Sequence, residues 1–64
     1  MEDTYYVWRG LFGEMLSIRM STPRKIDALK NAAESAIMNP GFIYCVFKNE
    51  SDNEIARFYV REED

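Results

Sequence analysis

Between positions 15 and 20 the chain alternates, Leu16, Ile18 and Met20 being apolar and Ser17 and Arg19 polar. That period of two predicts a strand with one face covered. The alternation returns in Ile55-Ala56-Arg57-Phe58-Tyr59-Val60-Arg61. Two other stretches, Thr4-Tyr5-Tyr6-Val7-Trp8-Arg9-Gly10 and Phe42-Ile43-Tyr44-Cys45-Val46-Phe47, are rich in aromatic and β-branched residues and also predict strands. Between the two pairs the period lengthens: Ile26, Leu29, Ala33, Ala36 and Ile37, widened by Ala32, form one stripe, and Arg24, Asp27, Lys30, Asn31 and Glu34 fall mainly elsewhere. This is the pattern of an amphipathic helix with that stripe buried.

The boundaries have their own chemistry. Thr22 is the expected N-cap and Pro23 the first helical residue, because proline has no donor to leave unpaired there. Asn39-Pro40-Gly41 ends the helix, since proline disfavours helical geometry at the residue before it. Leu11-Phe12-Gly13-Glu14 reads as a turn or a bulged continuation, and the polar run from Lys48 to Glu54 as a second turn. The order is strand, strand, helix, strand, strand. It predicts an α+β fold, a two-layer ββαββ sandwich with one helix packed on a four-stranded antiparallel sheet, residues 1–64 making a single small domain.

The same alternation assigns faces. Leu16, Ile18, Met20, Ile43, Cys45, Phe47, Ala56, Phe58 and Val60 are expected to point to the helix, and placing Arg9 outward sends Tyr6 and Trp8 there too. The uncovered face would then carry Tyr5, Val7, Arg9, Arg19, Tyr44, Val46, Lys48, Ile55, Arg57, Tyr59 and Arg61. Five of the chain's eight Lys and Arg residues are in that set, so an acidic chain would present a basic, aromatic sheet face.

Composition narrows the function. A chain of 64 residues buries only about 60% of the surface it exposes when unfolded. Domains of this size often add a disulfide, a metal or a second chain. One cysteine allows no internal disulfide, and the lack of histidine removes the usual transition-metal ligand. Good local structure or oligomerisation remains, and a homodimer fits the second. The start Met1-Glu2-Asp3 is acidic, unlike a signal peptide, and no apolar run approaches the roughly 20 residues of a membrane span. A cytoplasmic protein is expected. A formal charge of −3 works against simple attachment to phosphate backbones.

Little catalytic chemistry is available. Without histidine the chain lacks the commonest general base and the usual partner of a nucleophilic serine or cysteine. Cys45, in mid-strand between Tyr44 and Val46, reads as a small buried hydrophobe. Asp52-Asn53-Glu54 lacks the ligand pattern of a calcium loop, and Gly10 and Gly13 do not precede a helix as a phosphate loop requires. No enzyme activity, cofactor or metal is expected.

Two binding functions fit the face. Aromatic residues and arginine dominate protein interfaces, which makes a small protein-binding module the leading expectation. Its partner-binding residues are Tyr44, Lys48, Arg57, Tyr59 and Arg61, with the acidic Glu62, Glu63 and Asp64 available to a basic groove on the partner. Short acidic chains without chemistry of their own suit a phage-encoded inhibitor of a host enzyme or defence system, acting by occupying a surface of a host protein. The alternative is a single-stranded nucleic-acid binder, in which Tyr44 and Tyr59 stack bases and Arg57, Arg61 and Lys48 hold phosphates.

Overall fold

A computed structural model describes residues 3–11, 13–49 and 53–61. Its elements are β1 (Tyr5–Leu11), β2 (Glu14–Thr22), α1 (Lys25–Met38), β3 (Ile43–Lys48) and β4 (Glu54–Tyr59). The strands form one antiparallel sheet in the order β2-β1-β3-β4. Thus α1 carries the chain from an edge strand over β1 to the inner strand β3. The result is the two-layer α+β arrangement that the periodicity predicts.

The helix starts two residues later than expected. Thr22 ends β2, and its hydroxyl accepts the N–H of Arg24 at 3.1 Å. Arg24 is extended, at φ −106° and ψ 116°, and precedes the first helical turn. The threonine therefore closes a local turn instead of capping the helix. At the other end Asn39 donates its backbone N–H and its side-chain Nδ2 to the Ser35 carbonyl, at 2.9 and 3.1 Å. Gly41 then takes a φ of 98°, where a side chain would be strained, and its N–H reaches the Val60 carbonyl at 3.1 Å.

The core lies between helix and sheet. Val7, Ala28, Ala32, Ala36, Tyr44 and Val46 are buried there, flanked by Tyr5, Met20, Leu29, Phe42, Ala56 and Phe58. On α1 the buried line is Ala28-Ala32-Ala36, at a spacing of four. Of the expected stripe, Ala32 and Ala36 are buried and Leu29 packs against the core, but Ile26 and Ile37 are 72% and 68% exposed. Alanine lets the helix backbone approach the sheet closely, and Tyr44, Val7 and Val46 fill the remaining volume. Two isoleucines in that line would hold the layers apart.

The faces of β1 and β3 are the reverse of those expected. Tyr5, Val7, Tyr44 and Val46 lie under the helix, so Tyr6, Trp8, Ile43, Cys45 and Phe47 lie on the other side. Arg9 fails as an outward marker because its guanidinium stacks over Phe42, 4.8 Å from the ring centre, with the side chain half-buried on the helix side. Its Nε is buried without a hydrogen-bond partner. Ala56, Phe58 and Met20 do face the helix. Val60, past the end of β4, is exposed.

Three register shifts interrupt the edge strands, one of them where Arg9 pairs with Ser17 and Gly10 with Met15, leaving Leu16 as an extra residue of β2. Val7 pairs with Met20 but Trp8 pairs with Ile18, so Arg19 is an extra residue in β2. This bulge turns Ile18 to the face opposite Met20, where it is 49% exposed. In β4 the step from Val46–Ala56 to Phe47–Glu54 skips Ile55. The side chain of Leu16 lies outside the described set. Among the described residues no helix is long and apolar enough to cross a membrane.

Candidate functional site

Each inner strand carries rings on the side away from α1, Tyr6 and Trp8 on β1 and Phe47 on β3. Across β1 and β3, Tyr6 pairs with Phe47 and Trp8 with Cys45. Ile18 extends this surface on the β2 side and Tyr59, paired with Ile43, on the β4 side. Tyr6, Trp8 and Phe47 are half-buried, and Ile18 and Tyr59 are each 49% exposed. No second layer of described residues covers them.

Two charges on this face, both from β4, close on each other. Arg57 donates Nε to Glu54 Oε2 at 2.8 Å and Nη2 to Oε1 at 3.0 Å, a two-pronged ion pair along one strand. Arg57 holds the Glu54 carboxyl below its usual range, and Glu54 raises the Arg57 guanidinium. Opposite Arg57, Cys45 is 1% exposed. Burial, and after it the neighbouring Glu54 carboxylate, pushes its thiol up to about 11. It is a neutral, inert thiol at ordinary pH. Toward the β1–β2 turn, Leu11, Gly13, Glu14, Ile43 and Arg57 line an open cavity of about 350 Å³.

The residues expected to bind a partner do not assemble into one surface. Tyr44 is 2% exposed beneath the helix and is removed from any surface role. Lys48 follows the alternation of Tyr44 and Val46 to the helix side, where its ammonium lies 3.4 Å from Asp3. Arg57 and Tyr59 are on the open face, Arg57 already engaged by Glu54. Arg61 is exposed beyond β4. Glu62, Glu63 and Asp64 lie outside the described residues. The basic, aromatic stripe is replaced by an apolar, aromatic surface with one internal ion pair.

Trp8, Tyr6, Phe47 and Ile18 are the members that the alternation assigned to the core. Nothing periodic separates the two faces of β3, whose run from Ile43 to Phe47 is apolar, and in β1 the one charged residue, Arg9, marks the helix side. One signal was present: Ala28-Ala32-Ala36 is the helix line best able to approach a sheet. Among the described residues there is no group of three His, Cys, Asp or Glu side chains placed to hold a metal. Compared with protein-family models, curated proteins and solved structures, the chain matches none of them.

Proposed function

We propose that this chain is a small non-enzymatic protein-binding module that acts by covering an apolar surface of a protein partner with the open face of its sheet. The observation that carries the reading is the uncovered group Tyr6, Trp8, Ile18, Phe47 and Tyr59. Contiguous apolar surface of this kind marks interaction sites on small proteins, and aromatic side chains supply most of the binding energy at such sites. The Arg57–Glu54 pair neutralises the two charges that β4 places on the face, so the matching surface on the partner is apolar at its centre with polar groups at its rim. Occlusion of a partner's working surface, as by an inhibitor, needs no further chemistry from this chain.

The nucleic-acid alternative has less support from the geometry. It needs Tyr44 for stacking and Lys48 and Arg57 for phosphates, whereas Tyr44 is buried and both cations have carboxylate partners.

The test is capture by the immobilised chain from nuclease-treated lysate, read by mass spectrometry, beside Ile18→Glu and Tyr59→Glu variants whose fold is verified by circular dichroism. A defined protein retained by the wild type and lost from both variants is the expected result. Retention unchanged by both substitutions, or retention that requires nucleic acid, overturns the reading.

A further inference from the structure

On the layer opposite the open sheet face, α1 exposes a second set of apolar side chains. Ile26 and Ile37 project into solvent, and between them on the same side of the helix stand Lys30, exposed, and Ala33, half-buried. The intervals from Ile26 to Lys30, Ala33 and Ile37 are four, three and four residues. That is the spacing of a seam along which two helices interlock side chains.

The seam is its own complement when reversed. Ile26 and Ile37 are placed symmetrically about a point between Asn31 and Ala32, and Lys30 and Ala33 about the same point. Two copies laid antiparallel therefore bring each Ile26 against the other copy's Ile37 and each Lys30 against the other's Ala33. The small alanine leaves room for the lysine stem, and the ammonium reaches the neighbouring Glu34 of the opposite helix. A parallel pairing would instead set Lys30 on Lys30 and Glu34 on Glu34, like charge against like. We infer that the exposed seam of α1 docks onto the same seam of a second copy of this chain, antiparallel across a twofold axis, with Lys30 of each copy paired to Glu34 of the other.

Such a dimer is isologous and closes on itself. Its two open sheet faces point outward, so the inference is independent of what those faces bind. The helix has 14 residues, a length of about 21 Å. The contact is smaller than the roughly 800 Å² per partner of a standard interface, which makes the dimer weak and concentration-dependent.

Sedimentation velocity from about 10 µM to about 1 mM protein tests it. The wild-type mass should rise towards twice the monomer value. Ile37→Asp and Lys30→Glu should each weaken association at least about tenfold, while the double variant Lys30→Glu, Glu34→Lys regains it because the charges are exchanged across the seam. All three substitutions are on exposed positions, and circular dichroism verifies the helix in each. A wild type that stays monomeric throughout, a dimer that Ile37→Asp leaves intact, or failure of the double variant to regain association overturns the inference. A dimer lost instead through Ile18→Glu would place the contact on the sheet face.

Discussion

Arg57 grips Glu54 with two hydrogen bonds from the same strand, and the pair stands beside the buried thiol of Cys45. Because folding lowers the Glu54 pKa, the pair stabilises the fold above the ordinary carboxylate value of 4.5, and that contribution disappears as pH falls through and below it. Glu54→Gln should therefore flatten the acid limb of a stability-versus-pH curve measured by urea unfolding. The difference from wild type should be small at pH 7, since Arg57 is largely in water and such pairs are screened. An acid limb unchanged by the substitution would mean that the pair does not persist in solution.

Cys45 acts at the other end of the pH scale. Its thiol is raised from 9.0 to about 11, so the protonated form belongs to the folded state. Stability from this group is fully present below pH 9 and is lost as pH rises towards 11. Cys45→Ala should remove that part of the alkaline decline. In the wild type, a thiol-specific aromatic disulfide at pH 8 should label Cys45 slowly in buffer and rapidly in urea. Fast labelling of the folded chain would contradict its burial.

Ala32 and Ile37 should respond to substitution in opposite ways. Ala32→Leu forces a larger side chain between helix and sheet and should cost about 1–3 kcal/mol. Ile37→Ala changes an exposed site and should stay within about 0.5 kcal/mol of wild type. Denaturant midpoints measure both. The reverse order would restore Ile26 and Ile37 to the core.

Asn49 ties the segment before β1 to the end of β3. Its backbone has φ 61°, its Oδ1 accepts the Thr4 N–H at 3.1 Å, its N–H donates to the Thr4 carbonyl at 2.6 Å, and its Nδ2 donates to Asp3 at 3.2 Å. Asn49→Ala should cost about 1–2 kcal/mol, because it removes two side-chain hydrogen bonds and leaves a left-handed residue with no local compensation. Asn49→Gly should recover part of the loss by relieving the backbone. Thermal unfolding of the three proteins ranks them; an alanine variant as stable as wild type would mean the tie contributes nothing.

The element order was legible from hydrophobic periodicity, because each strand and the helix has a period or composition that excludes the other. The end of α1 at Asn39-Pro40-Gly41 was legible for a local reason: the termination chemistry is in those residues themselves. The facing of β1 and β3 was not. A run such as Phe42 to Phe47 has no polar position to mark its outer side, and Arg9, used as that marker, lies flat on Phe42 on the helix side. Ile18 was misplaced for a different reason. Alternation counts residues, and a bulge at Arg19 adds one that the partner strand does not match.

The candidate surface inherited these errors. Swapping the faces exchanged Tyr44 for Trp8 and Tyr6, and removed Arg9 and Lys48 from the open side, which made that surface less basic and more apolar. Tyr59 and Arg57 were placed correctly because β4 retains a clear alternation from Ala56 to Tyr59, beyond its own bulge at Ile55.

The strand order has a consequence for how the chain reaches its fold. The hairpins β1–β2 and β3–β4 join neighbours in sequence, but the seam between them runs from Tyr5 against Lys48 to Gly10 against Ile43, across most of the chain. Those partners meet only after the loop that contains the helix has closed, and non-local pairing of this kind slows folding. Val7 and Val46, opposite each other in that seam and both fully buried, are where the late step should be felt. Shortening Val7 should slow refolding, because its pairing with Val46 forms in the closure that limits the rate.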